Sequence, residues 1–183
     1  MLEISMSALT LLSQILTGVF LYNPVNSGAN DSMYEELYCL ALNSYWEARG
    51  ESFDEKLATA QVVMNRVDNK HYPDMVCAVV TEGPSRESWK TRQYPELHKE
   101  DRIYYPVKNR CQFSWYCDGR SDIIYSFAGW EDSVIAALLA YVAYGEDKVQ
   151  GATHYYAHEK INKPSWAKGM IVTTIMKGHT YLK

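Results

Sequence analysis

The chain has no lysine or arginine before Arg49, and that absence bears first on its N-terminal segment. Residues 6–22, MSALTLLSQILTGVFLY, are apolar enough for an export signal, yet no positive flank precedes them. The run is also too short, and too rich in Ser, Thr and Gln, to read as a membrane span. On a helix, Ala8, Leu12, Ile15, Leu16 and Val19 share one face. Two readings therefore stand, an export signal or an amphipathic helix lying on the domain or on a membrane surface. YNPVNSGAND (22–31) reads as a linker, so residues 1–30 form an N-terminal segment and 31–183 one domain.

Other absences exclude whole classes. The four cysteines, Cys39, Cys77, Cys111 and Cys117, contain no CxxC pair, so zinc-finger spacing is missing. Whether Cys111 and Cys117 close a short loop depends on an oxidising compartment. No HExxH occurs among the scattered histidines His71, His98, His154, His158 and His179. No internal repeat is visible. The net charge of −4 argues against nucleic acid as a partner, and 47% hydrophobic with 22% charged residues argues against disorder.

What is present in excess is tyrosine, 15 of them beside 5 tryptophans. Such rings either pack or offer an apolar face and a polar tip to a carbohydrate. Helical patterning dominates the first half. Ser32 with Glu35 predicts a capped helix whose apolar stripe is Tyr34, Leu37, Tyr38, Ala41 and Tyr45, stopped by Gly50. Ser52 with Glu55 predicts a second, carrying Phe53, Leu57, Ala60, Met64 and Val67 to about Asn69. A short third helix is expected from Pro73 through Val80, and a strong one from Trp130 to Gly145. Between them, residues 84–110 mix charges and aromatics without period and read as a long loop insertion. ATHYYAHE (152–159), MIVTTIM (170–176) and HTYLK (179–183) predict a small antiparallel C-terminal sheet. The class is α+β, mostly helical.

One stretch, SYWEARGES (44–52), places Glu47 in the last turn of a helix beside Tyr45 and Trp46. The helix C-terminus carries partial negative charge, which disfavours a second negative charge there. Burial against the two rings would disfavour it further. Both effects raise the carboxyl pKa and suit a general acid. Arg49 opposes them if it pairs with Glu47, and does not if it pairs with Glu51.

Five segments then stand in a telling order: YWEARGES, ATAQVVMNRV, YPDMVCAVV, CQFSWYCDGRSD and GATHYYAHEKINKPSWAK…TTIMKGHTYLK. Together they resemble the SleB/CwlJ-type cell-wall hydrolases over roughly residues 33–183, apart from the 84–110 insertion. The resemblance implies a lysozyme-like domain that cleaves the glycosidic bond between N-acetylmuramic acid and N-acetylglucosamine in peptidoglycan as a lytic transglycosylase. The family's catalytic glutamate falls on Glu47. Where members often read His-Tyr-His, this chain has His154-Tyr155-Tyr156, so no role passes to the third position.

Gln112 and Ser114 flank Phe113 in the segment that resembles the family's cleft and are candidates to hold sugar, with Phe113 expected in the core. His154, Tyr155 and Trp166 are further candidates for lining the cleft, and packing accounts for the rings equally well. If water rather than the muramoyl 6-hydroxyl attacked, a second carboxylate would be needed, and Asp118 and Asp122 are the candidates. Asp118 before Gly119 also suits a plain turn, and His179 suits a structural contact. No cofactor or metal is implied, the expected partner is the glycan strand, and the chain is expected to act as a monomer. The place of action would be the periplasm or cell wall, reached through the N-terminal segment or by phage-style release. An N-acetylmuramoyl-L-alanine amidase and a noncatalytic peptidoglycan-binding module are the alternatives.

Overall fold

In the computed structural model, residues 6–21, 32–143 and 145–183 are described. The predicted linker 22–31 falls outside them. Two compact units result: Met1–Val79 with Ile124–Lys183, and Val80–Ile123.

The first unit is built on helices α1 (Met6–Leu21), α2 (Ser32–Glu47), α3 (Phe53–Val67) and α6 (Phe127–Tyr141), with α4 (Val76–Val80) at its boundary. Helix α2 follows the expected stripe and buries Leu37, Leu40, Ala41 and Tyr45 against α3 and α6. It begins at Ser32 itself, so Ser32 is its first residue. Helix α1 packs on α2 and α6 and buries Val19, while Gly18 lies where Tyr34 leaves no room for a side chain. Among the described residues no helix is long and apolar enough to cross a membrane. Helix α4 is capped from α2, where the Glu36 carboxylate accepts the Val76 and Cys77 N–H groups. A disulfide joins Cys39 to Cys77.

Helix α6 departs from its expected span at both ends. Ser126 caps it by accepting the Gly129 N–H at 3.2 Å, so it starts before Trp130. Ala143 (φ 50°) turns the chain left-handed, and the helix ends before Gly145 is reached.

The C-terminal strands β3 (His154–Tyr156), β4 (Val172–Ile175) and β5 (Thr180–Leu182) form an antiparallel sheet in the order β3-β5-β4. Tyr181 of the central strand packs with Ala58, Val62, Val149 and Ala152 in a buried cluster that Tyr155 and Met176 flank. Side chains of α3 fix the approach to this sheet. The Gln61 amide donates to Glu146 O and accepts from Lys148 N, Asn65 donates to Ala152 O, and Arg66 Nε donates to Thr153 O at 2.7 Å. The ATAQVVMNRV segment thus holds the chain that enters β3.

The second unit contains the 84–110 segment, which is a hairpin and not only a loop. Strands β1 (Ser85–Glu87) and β2 (Tyr104–Pro106) pair antiparallel with Arg86 opposite Tyr105, and α5 (Trp89–Arg92) lies between them in sequence. Arg102 stitches the intervening loop, bonding Glu87 at 2.7 Å and donating to the Tyr94, Pro95 and Leu97 carbonyls. Three-residue strands are too short to show alternation, which is why the hairpin leaves no periodic trace. Cys111 and Cys117 are joined by a second disulfide. Phe113 is buried, as expected.

Candidate active site

Glu47 is the last residue of α2 and is half-buried. Its immediate sequence neighbours do not supply that burial, because consecutive helical residues point in different directions. Tyr45 turns into the core, where its hydroxyl accepts the N–H groups of Tyr125 and Ser126 at 3.1 Å. Trp46 packs edge-on to Tyr45 and Tyr125, and the Arg49 guanidinium stacks over it at 5.1 Å. Arg49 is engaged with aromatic faces, a third arrangement beside the two considered from sequence.

The ring that meets Glu47 comes from 108 residues further along the chain. Tyr155 Oη donates to Glu47 Oε2 at 3.0 Å. Burial raises the Glu47 pKa above the ordinary carboxylate value, and this outweighs the opposing pulls of the Tyr155 hydrogen bond, Arg66 and Lys160. The phenol is driven the other way from ionisation: burial first, then the Glu47 charge, holds Tyr155 well above the usual tyrosine value. It therefore acts as a fixed donor.

Strand alternation divides the other candidates. Tyr155 faces Glu47 and packs with His179 at 5.4 Å and Tyr181 at 5.8 Å. His154 and Tyr156, on either side of it, both meet Trp166, at 5.6 and 6.4 Å. Trp166 is 49% exposed, a ring with a free face. Burial lowers the His154 pKa, reinforced by Arg66, so its imidazole is neutral at neutral pH. Its Nδ1 lies 3.0 Å from Thr153 Oγ1, and the Tyr72 ring lies 6.4 Å away.

His179 is buried, consistent with the structural contact expected of it, and lies 3.3 Å from Glu55 Oε1. Ser52 caps α3 by accepting the Glu55 N–H at 3.4 Å, but the Glu55 carboxylate turns to the Gly178 N–H at 2.7 Å. From sequence Glu55 reads as half of a capping box, and no local pattern points to Gly178. The only signal was that KGH lies within the resembling C-terminal segment.

The remaining candidates belong to the second unit. Gln112 and Ser114 are exposed, on either side of buried Phe113. Asp118 accepts the Arg120 N–H at 2.7 Å beside Gly119 (φ 80°), the geometry of a turn. Burial and the neighbouring Asp118 raise the Asp122 pKa. Among the described residues no group of three or more His, Cys, Asp or Glu side chains is placed to hold a metal ion.

The family model for the Cell Wall Hydrolase family matches residues 50–182, and the chain belongs to that family. It is a peptidoglycan-degrading enzyme that acts on the cell wall. Glu47 stands just ahead of the matched residues. Two solved structures share the fold. The SleB catalytic domain of Bacillus cereus has 18% identity and a TM-score of 0.53, over 86% of this chain and 94% of that one. The catalytic domain of the germination-specific lytic transglycosylase SleB from Bacillus anthracis has 19% identity and a TM-score of 0.50, over 88% and 100%. No curated protein matches the chain. The mostly helical α+β class and the SleB/CwlJ-type resemblance are borne out.

Proposed function

We propose that the enzyme cleaves the bond between N-acetylmuramic acid and N-acetylglucosamine as a lytic transglycosylase, with Glu47 as its acid and then its base. The observation that carries this is a carboxyl at a helix end whose pKa burial raises and which accepts a hydrogen bond from a phenol that stays protonated. Protonated Glu47 would give its proton to the glycosidic oxygen as oxocarbenium character develops at the anomeric carbon. The resulting carboxylate, stabilised by the Tyr155 O–H, would take the proton of the muramoyl 6-hydroxyl as that oxygen closes the 1,6-anhydro ring. Proton and oxygen are both accounted for without water, so a partner carboxylate is unnecessary. The neutral phenol suits both half-reactions, because a donor does not repel the carboxylate it serves.

The exposed Trp166 ring, which His154 and Tyr156 meet, fits the apolar side of a sugar ring.

Glu47→Gln tests the assignment. Turbidity clearing of purified sacculi should fall by roughly 10²–10⁴-fold, the usual worth of a general acid–base group. Binding to sacculi should persist. Above the Glu47 pKa the wild type holds a charge that burial disfavours, whereas Gln holds none. The variant should therefore melt higher than wild type above that pKa, with the difference shrinking as pH falls below it and gone below the ordinary carboxylate pKa. Undiminished clearing by a folded variant would remove Glu47 from the mechanism.

A further inference from the structure

We propose that Glu55, through Gly178 and His179, is the positioning residue that seats Tyr155 on Glu47. The inference rests on Glu47 as the acid, but its test does not need activity.

Glu55 is 1% exposed, and its Oε2 has no hydrogen-bond partner among the described residues. A buried carboxylate with an unsatisfied oxygen is a costly way to stabilise a fold. Its place in the first turn of α3, at the positive end of the helix, offsets part of that cost. Its Oε1 does two things. It accepts the Gly178 N–H at 2.7 Å and meets His179 Nδ1 at 3.3 Å, so it fixes the turn between β4 and β5. Glycine leaves room for this approach: a Cβ on residue 178 would lie 2.9 Å from Glu55 Oε1 and 3.0 Å from Glu51 Cδ, so the carboxylates would have to shift.

The turn so fixed delivers His179 to Tyr155. The two rings meet edge-on at 5.4 Å and 90°, and Tyr181 closes the seat at 5.8 Å from Tyr155 and 6.1 Å from His179. Tyr155 is thus held on its flanks, and its hydroxyl lies on Glu47 Oε2. The line of support runs from Glu55 to the turn, to His179, to Tyr155, to Glu47. The charged and titratable groups facing this line are few. Arg66 from α3, Lys160 beyond β3 and Tyr155 act on Glu47, while Glu51, Lys160 and Tyr181 surround the Glu55–His179 contact. Burial lowers the His179 pKa despite the two carboxylates, so a neutral imidazole protonated on Nδ1 donates to Glu55.

The test reads the titration of the Glu47 side-chain carboxyl by carbon-detected NMR in the full chain, its signal identified by loss in Glu47→Gln. A hydrogen bond donated to a carboxylate stabilises the charged form, so losing it raises the pKa. Tyr155→Phe should move the Glu47 midpoint upward by about one pH unit. Glu55→Leu should move it the same way, and Glu55→Leu with Tyr155→Phe should move it no further than Tyr155→Phe alone. Glu55→Gln keeps an acceptor for the Gly178 N–H and should keep the wild-type midpoint. His179→Phe, which keeps the ring and drops the nitrogen, carries the same test if Glu55→Leu does not fold, with an upward shift expected. A folded Glu55→Leu or His179→Phe with an unmoved midpoint overturns the proposal, as do shifts that simply add. If the midpoints move as expected but Glu47→Gln still clears sacculi, the positioning stands and the assignment of Glu47 falls.

Discussion

The two units of this chain are held together by different physics. In the helical unit, apolar side chains of α2, α3 and α6 and of strand β5 disappear from solvent in continuous stripes. In the Val80–Ile123 unit the large rings Trp89, Tyr94, Tyr104 and Tyr105 stay exposed, and order comes from a disulfide, a hairpin and the guanidinium of Arg102. Burial also shifts pKa values, and in the helical unit it raises that of Glu47.

That contrast can be broken by mutation. Tyr45→Ala, in the core, should cost about 3–5 kcal/mol in denaturant unfolding, whereas Tyr105→Ala should stay within about 0.5 kcal/mol. An equal cost at the two positions would erase the distinction. Removing the disulfides should differ in the same order. Cys39→Ser with Cys77→Ser opens a loop of sequence separation 38 and should cost about 4 kcal/mol, while the Cys111–Cys117 pair, separation 6, should cost about 2–3 kcal/mol. Arg102→Ala should cost about 1–2 kcal/mol and show itself as faster protease nicking between Tyr94 and Leu97, with melting of the helical unit unchanged. The smallest effect is on rate. Asp118→Asn and Asp122→Asn should each slow sacculus clearing far less than the ~10²-fold that a general base is worth. A loss of that size at either would favour hydrolysis by attacking water.

Periodicity explains what was legible in the sequence. The stripe of α2, the Ser52 cap of α3 and the C-terminal strands each rest on local patterns, and each is found close to where the pattern puts it. Glu47 was legible as well, by its position at a helix end. Its surroundings were not. From sequence Tyr45 and Trp46 are expected to bury it, but Tyr45 turns into the core and Trp46 packs on Tyr125 and Arg49, and the ring that hydrogen-bonds to it belongs to a strand 108 residues on. Tyr155 reads from sequence as a candidate to line the cleft, yet nothing in HYY distinguishes the tyrosine that faces Glu47 from the one that meets Trp166. Only strand register decides that. Glu55 was hidden for a related reason, since its position predicts a cap and its partner Gly178 lies 123 residues away. The Cys39–Cys77 pairing is likewise a matter of α2 lying beside α4, which no spacing announces.

The proposed mechanism needs a single carboxyl acting as acid and base on one glycosidic bond. Mass spectrometry of the soluble fragments that the purified enzyme releases from sacculi tests this most directly. Fragments one water lighter than hydrolysis would give, ending in anhydro-muramic acid and absent with Glu47→Gln, are the expected result. Reducing muramoyl ends, or free stem peptides with intact glycan strands, would contradict it.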